Sequence, residues 1–464
     1  MEILKKVQSI LPNGVRAYLV GGCVRDSLMG LKPKDIDIEV FGISSIDILE
    51  NLLSPHGKVS TVGRSFGIVK LTTLSGEEFD FSLPRRDSKC GIGHKDFRVT
   101  IDPTLTIEEA ASRRDYTINS MSIDIWTGEL IDPFNGCRDL ESKILRHTSN
   151  AFSEDPLRVL RGFQFSGRYG LTAADETNIL CRELVDKFYT LPIERIWIEF
   201  EKWATKSVIP SKGLEFLVKS GWIEHFPEIQ DLIGCPQDPE WHPEGDVFEH
   251  TCQVVDQAVG GGVIVMLAAL CHDLGKPETT QIIDGRIRTP GHCQTGIGKS
   301  RSFLKTIGCP YDIITQVEKL VNEHLVHIQT INKRSIRRLI VRLGNASIDD
   351  LVSLIGADHA GRGSASCKLP DSAINIKDIA EEIGEEIKPI LMGRHLIELG
   401  MKPGPHFGQI LKNAFEAQLD GKFETVEDGI EFLKNFLIIE TLKPNKDKDF
   451  IPITEPIKQK GDST

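Results

Sequence analysis

The apolar and polar positions of this chain keep two periods. Up to about Arg146, short strand-like and helix-like runs alternate, the pattern of a small α/β domain. Residues 17–20 are an apolar run of buried-strand length, followed by Gly21-Gly22. Residues 23–29 have helical spacing, and Gly30 closes them. From Asp35 every second residue is acidic. A strand here puts Asp35, Asp37 and Glu39 on one face and Ile36, Ile38 and Val40 on the other. Residues 59–74 read as a hairpin pair, with turns at Gly63-Arg64-Ser65 and Ser75-Gly76. Residues 78–82 alternate again and set Asp80 opposite Phe79 and Phe81. Residues 85–97 are glycine-rich, charged and poor in apolar side chains, which predicts a mobile loop. Residues 107–121 predict a helix with Glu108 and Glu109 in its first turn, and Ser153 predicts the cap of the next one. Amphipathic runs over 171–226 predict a helical neck, and 263–270, the longest apolar run, has the length of a buried helix. The Lys- and Pro-rich end, 443–464, predicts disorder.

Chemistry enters at the glycine pair. Two glycines let the backbone turn sharply and meet a ligand with no Cβ in the way. Backbone N–H groups at a helix start, with Arg25 in the first turn, suit a phosphate. Carboxylates side by side on a strand repel one another unless a cation lies between them. Mg²⁺ is held by one or two carboxylates plus substrate phosphates. Alone, an acidic face is a solvated edge strand; beside the glycine turn, Asp35 and Asp37 are candidate Mg²⁺ ligands. Further on, Asp155, Arg158 and Arg161 recur every three residues and share one helical face. A carboxylate accepts from an amino group, and arginine donates to ring nitrogens or carbonyls. Cytosine and adenine carry an amino donor where guanine and uracil carry an acceptor. A fixed Asp/Arg pair therefore takes CTP and ATP and rejects GTP and UTP.

LVGGCVRD followed by KDIDIEV closely resembles the signature of the class II tRNA nucleotidyltransferase and bacterial poly(A) polymerase family, in the polymerase-β-like superfamily. RRDYTINSM at 113–121 resembles the family's next motif, and EDPLRVLR at 154–161 its protein template. The resemblance implies a polymerase-β-like α/β head over 1–146, then all-α domains: a neck at 147–230, an HD domain at 231–365 and a tail at 366–464. It implies Asp35 and Asp37 as catalytic Mg²⁺ ligands and Asp80 as a third acid, which completes the metal site or helps deprotonate the attacking hydroxyl. Gly22, Arg25, Arg114, Asp155, Arg158 and Arg161 match nucleotide-binding positions, and Asp115 helps place the ribose or the loop. Gln164 stands where many relatives carry a third arginine. His250, the His272-Asp273 dyad and Asp358 match the H…HD…D ligand set of the HD phosphohydrolases, for a divalent transition metal or Mg²⁺. His292 and His324 fall where some HD proteins place further ligands or phosphate contacts, and Lys276 suits a phosphate. The function implied is addition of C, C and A to the 3′ end of tRNA from CTP and ATP, with a phosphohydrolase activity on 2′,3′-cyclic or 2′-phosphates. Rivals are a poly(A) polymerase, an A-only or CC-only enzyme, and an HD phosphohydrolase whose head delivers RNA.

Composition narrows this modestly. The 464 residues allow two to four domains. Ten cysteines with no C-x-x-C pair argue against a zinc ribbon or a disulfide framework and fit a reducing cytoplasm. No apolar run reaches the roughly 18 residues of a membrane span, so no membrane partner is expected. A net charge of −12 argues against broad nucleic-acid binding but leaves room for a local basic groove. Candidates for it are Arg85-Arg86 with Lys89, Lys95 and Arg98; Arg113-Arg114; and Lys333, Arg334, Arg337, Arg338 and Arg342 at helical spacing.

Overall fold

The computed structural model describes residues 2–60, 67–89, 97–362, 369–384 and 386–442. The predicted turn at Gly63-Arg64-Ser65, the centre of the predicted loop at 90–96 and the predicted disordered end lie outside them. The head opens with α1 (Glu2–Ile10), β1 (Arg16–Val20), α2 (Gly22–Leu28), β2 (Asp37–Phe41), α3 (Ile46–Leu53), β3 (Gly57–Ser60), β4 (Ile68–Thr73) and β5 (Glu78–Ser82). β6 (Arg85–Lys89), β7 (Phe97–Ile101), α4 (Ile107–Ser112), β8 (Ser122–Asp124), β9 (Leu130–Ile131) and α5 (Gly136–Glu141) complete it. Seven strands form one sheet in the order β3-β4-β5-β2-β1-β8-β9. Its pairings are antiparallel except β2 with β5. That parallel pair sets Asp37 beside Asp80 and Ile38 beside Phe81. The sequence alternation then sorts the two faces. Ile38, Val40, Phe79 and Phe81 lie in the core, and Asp37, Glu39, Asp80 and Ser82 face the open side.

Two head predictions need correction. The flanks of the predicted loop pair as a ribbon, β6 with β7, from Arg85↔Ile101 to Lys89↔Phe97. The helix predicted over 107–121 stops at Ser112. It starts as expected, on a capping box between Thr106 and Glu109. It ends because the Asp115 carboxylate accepts from its neighbour's backbone, Tyr116 N at 2.8 Å, and from Asn119 Nδ2 at 2.9 Å. Such local bonds compete with a helix. Tyr116 turns extended, and a single 3-10 turn follows at Thr117–Asn119.

β10 (Ile144–Leu145), α6 (Leu157–Tyr169), β11 (Thr172–Ala173), α7 (Asp175–Arg182), α8 (Ile193–Lys206) and α9 (Pro210–Lys219) make the neck, with α6 packed on α8 and α9. The approach is close: a Cβ on Gly162 of α6 would lie 2.2 Å from Tyr116 Oη and 2.6 Å from the Phe216 ring. Ser153 does not cap α6. Its hydroxyl donates to Asn150 O, and the Asp155 carboxylate takes Leu157 N at 3.1 Å instead.

The remainder is nearly all helical: α10 (Pro227–Gln230), α11 (Val247–Gln257), α12 (Gly262–Cys271), α13 (Lys276–Thr279), the hairpin β12 (Gln281–Ile283) and β13 (Arg286–Arg288), α14 (His292–Thr306), α15 (Tyr311–Glu323), α16 (Lys333–Leu343), α17 (Ile348–Ala360) and α18 (Asp371–Ile383). α12, apolar on every side, runs through the middle against α8, α11, α15 and α17. One apolar core is continuous from the head to α18, so α18, assigned to the tail by the sequence, packs with α16 and α17. A separate small core joins α19 (Gly393–Glu398), α20 (His406–Leu419) and α21 (Val426–Leu442). Among the described residues no helix is long and apolar enough to cross a membrane.

Candidate active site and metal centre

The head site is built where β1 ends. Gly21 turns the chain at φ +73°, a conformation that strains any side-chain-bearing residue. A Cβ there would lie 2.8 Å from Arg114 Nη1 and 3.9 Å from Asp37 Oδ2, so the bare turn lets the guanidinium and the acid close on it. Arg114 Nη2 also donates to Glu39 Oε2 at 3.2 Å. Asp35 sits in the bend before β2, and Asp37 and Asp80 lie side by side on the parallel strands. Burial, then Asp80 and Asp35, push the Asp37 carboxyl up to about 6 against the pull of Arg114. Asp80 is raised as well, first by burial, with Lys70 opposing and Asp35 adding to it. Buried carboxyls raised by their acidic neighbours in this way are a site for a cation. Recesses of about 330 and 480 Å³ flank them and share Asp37, Arg113, Arg114 and Arg158.

The facing wall is α6. Asp155 and Arg158 line the cleft at its N-terminal end. Arg158 donates Nη1 to Ala151 O and Nη2 to Arg113 O, both at 2.8 Å, which fixes its plane and leaves three N–H groups. Asp155 lies 3.6 Å from Arg195 on α8. The three residues of the predicted face diverge in their partners. Arg161 pairs with buried Asp115 at 2.7 Å. Burial alone would raise Asp115, but Arg161 and Asn119 bring it below the usual carboxylate range. Arg25, expected to meet a phosphate, has a buried guanidinium that donates to Asn119 Oδ1 and Asp26 Oδ1 and lies 4.4 Å from the Tyr169 ring centre and 5.4 Å from that of Phe165. It ties α2 to α6. Gln164 is buried at the cleft wall, and its Nε2 has no partner among the described residues. The cleft runs on past Arg168, Lys202 and Lys206. Lys206 is held below the usual lysine range, first by burial, then by Arg168, Lys34 and Lys202.

The second centre lies between α11, α12 and α17. His250 Nε2 is 3.1 Å from Asp358 Oδ1, 3.3 Å from His272 Nε2 and 3.7 Å from Asp273 Oδ2; His272 Nε2 is 3.1 Å from Asp273 Oδ2. All four side chains are buried. His272 Nδ1 donates to Ala269 O at 2.8 Å, and His250 Nδ1 faces buried Glu244 Oε1 at 2.7 Å, so both rings present Nε2 inward. Asp358 is held well below its ordinary value. Burial opposes this, and the His250 hydrogen bond and Arg362 outweigh it. Lys276 Nζ donates to Gln237 Oε1 and forms an ion pair with Asp273 Oδ2, each at 2.7 Å.

The poly A polymerase head domain family matches residues 17–146. A multifunctional CCA protein of Xanthomonas campestris pv. campestris is 35% identical over 395 residues, covering 79% of this chain and 93% of that protein. The chain belongs to the multifunctional CCA protein family. Another relative of that name, from Haemophilus influenzae, is 39% identical over 328 residues, 68% of this chain and 76% of its own length. The fold agrees. A Bacillus stearothermophilus CCA-adding enzyme in complex with CTP matches with a TM-score of 0.68 at 21% identity, over 95% of this chain and 98% of that one. A Thermotoga maritima CCA-adding enzyme complexed with tRNA matches with a TM-score of 0.57 at 19% identity, over 94% of this chain and 96% of that one. The head of this CCA family member is thus a polymerase-β-like nucleotidyltransferase head.

Within it, Glu39 and Asn119 position Arg114 and Arg25 and were not singled out in the sequence. Glu39 was legible as the third acid of the alternating strand; Asn119 gave no signal apart from its motif. The basic helix face predicted as a groove is spent on ion pairs. Arg334 and Arg338 meet Asp420 at 2.8 Å, Arg337 meets Glu424, Lys333 meets Glu382 at 2.8 Å and Arg342 meets Glu323 at 2.7 Å. α16 therefore fastens the tail through Asp420 and Glu424. The side chains of Lys89, Lys95 and Arg98 lie outside the described residues.

Proposed function

We propose that this chain extends the 3′ end of tRNA by C, C and A, taken from CTP and ATP, with no nucleic-acid template. One observation carries the reading: Asp35 and Asp37 line one recess together with Asp155 and Arg158, and Asp80, in register with Asp37 on the parallel strand, lines the adjoining one. Asp35 and Asp37, with Asp80 beside them, are the residues that would hold Mg²⁺, and the raised carboxyls of Asp37 and Asp80 fit a divalent ion. When bound, that ion offsets triphosphate charge and eases ionisation of the primer hydroxyl. Gly22 leaves backbone room for the triphosphate, and Arg114, held by Glu39, neutralises it. Asp155 and the unspent N–H groups of Arg158 read the base edge. Arg161 and Arg25 act through Asp115 and Asn119, holding α6 against the catalytic turn. The acceptor-end phosphates run along Arg168, Lys202 and Lys206.

The test uses tRNA lacking its terminus. CTP alone should add two residues and stop, ATP should enter only after them, and Asp37→Asn should add nothing. Long tails made from ATP alone would convert the reading to a poly(A) polymerase. The converged His250, His272, Asp273 and Asp358 support a second activity, hydrolysis of 2′,3′-cyclic or 2′-phosphates. It should survive Asp35→Ala with Asp37→Ala and vanish in Asp273→Ala; loss in the head variant would refute an independent site.

A further inference from the structure

The second centre has a mouth. A cavity of about 220 Å³ lies beside the cluster, and Trp241, His242, Lys276 and Arg362 are among its walls. Three of these touch the cluster behind. The His242 ring lies 4.9 Å from that of His250, Lys276 Nζ is 2.7 Å from Asp273 Oδ2, and Arg362 Nη2 donates to Asp358 Oδ2 at 2.8 Å. The cavity therefore leads to the cluster, and Lys276 and Arg362 make it cationic. Arg362 Nε is buried and has no partner among the described residues. Asp238, the acid on the wall, is taken by Arg286 Nε at 3.2 Å. The fourth wall residue is of another kind. Trp241 is 60% exposed, although tryptophan is highly buried on average. The turn that carries it is tied down. Trp241 N and His242 N both donate to Asp238 O, at 3.0 and 2.9 Å, and Arg286 of β13 pairs with Asp238 and with Glu240. A large ring is thus kept in water, on a fixed mount, beside two cations that suit a phosphate.

We propose that Trp241 is the platform on which a nucleobase stacks at this mouth, while the phosphate on the same nucleoside meets Arg362 and Lys276 on its way to the cluster. The inference rests on the hydrolytic reading and adds a selection to it: the site holds the base as well as the phosphate. Stacking uses the π-face that every base has, so the platform takes adenine, cytosine, guanine and uracil alike. The head differs, because Asp155 and Arg158 there read base edges. The unit recognised is a nucleoside 2′-phosphate or 2′,3′-cyclic phosphate, whether a free nucleotide or the last residue of an RNA.

The test reads indole emission and turnover on the full-length protein. With EDTA present to stop turnover, 2′-AMP should quench the emission, and β-glycerol phosphate, which has no base, should not. The quench should be absent in Trp241→Phe. With Mn²⁺ restored, Trp241→Ala should raise KM for 2′,3′-cyclic AMP about 10–100-fold with kcat changed little, and Trp241→Phe by less than about threefold. The four 2′,3′-cyclic nucleotides should differ in KM by less than about threefold. Inhibition of that turnover by an RNA ending in a 2′,3′-cyclic phosphate assigns the platform to RNA ends, and its absence assigns it to free nucleotides. A quench that depends on Trp241 without any hydrolysis keeps the platform and removes the hydrolytic reading. No quench, a quench that survives in Trp241→Phe, or equal KM in the wild type and Trp241→Ala overturns the platform and leaves hydrolysis at the cluster to its own test.

Discussion

Asp37 ties ion binding to pH with a defined sign. Its folded-state value of about 6 lies above the roughly 3.9 of an unfolded aspartate. In the metal-free protein its ionisation therefore costs stability as pH rises from about 4 through 6, and the cost persists above that. A bound cation removes it. Mg²⁺ should raise Tm more at about pH 7.5 than at about pH 5, and CTP incorporation should fall as pH drops through about 6, with part restored by more Mg²⁺. Equal Tm gains at both pH values would show that Asp37 does not hold the ion. Glu39 sets a second expectation. Glu39→Gln leaves a weaker acceptor for Arg114, so KM for CTP and ATP should rise about 5–30-fold, the equivalent of 1–2 kcal/mol, with kcat changed little. A selective fall in kcat would place Glu39 among the reacting groups instead. The acids themselves were plain in the alternation of β2. Their pairing with Asp80 was not, because nothing local in a sequence fixes which distant strand becomes a parallel neighbour.

At the scale of elements, α6 carries the load between head and neck. Gly162 lets it press against the buried ring of Tyr116 and against Phe216. Gly162→Ala should destabilise the protein by about 1–3 kcal/mol, because neither ring has room to retreat. The shift of α6 should also blur the choice between CTP and ATP against UTP, measured as misincorporation on tRNA ending in C. Wild-type Tm and fidelity together would show that the contact yields. Elements with a regular period were legible: β1, β2, β5 and α12 stand where the apolar spacing put them. The failures share a cause. The helix over 107–121 broke because Asp115 preferred local hydrogen bonds, and the loop at 85–97 paired at its edges because charged strands leave no apolar signature. Of the predicted face of Asp155, Arg158 and Arg161 only the two arginines stand on α6, Asp155 lying in extended backbone just before it, and the partners of those arginines, Ala151, Arg113 and Asp115, lie outside the helix.

Over the whole molecule, the charge of −12 conceals a short cationic wall beside the acids, and the longer basic run on α16 is already neutralised. Lys202→Ala with Lys206→Ala should weaken tRNA binding without moving KM for CTP, and lower the slope of log affinity against log salt by about 1.4, two single-strand phosphate contacts. A raised KM for CTP with an unchanged slope would assign the wall to the triphosphate. The parallel pairing of β2 and β5 has one more consequence. The gap between Asp37 and Asp80 is a spacing of the sheet lattice, about 4.8 Å from strand to strand, and no loop sets it. Insertions or deletions between Phe41 and Glu78 can rebuild the outer edge of the sheet while the distance that receives the cation stays the same.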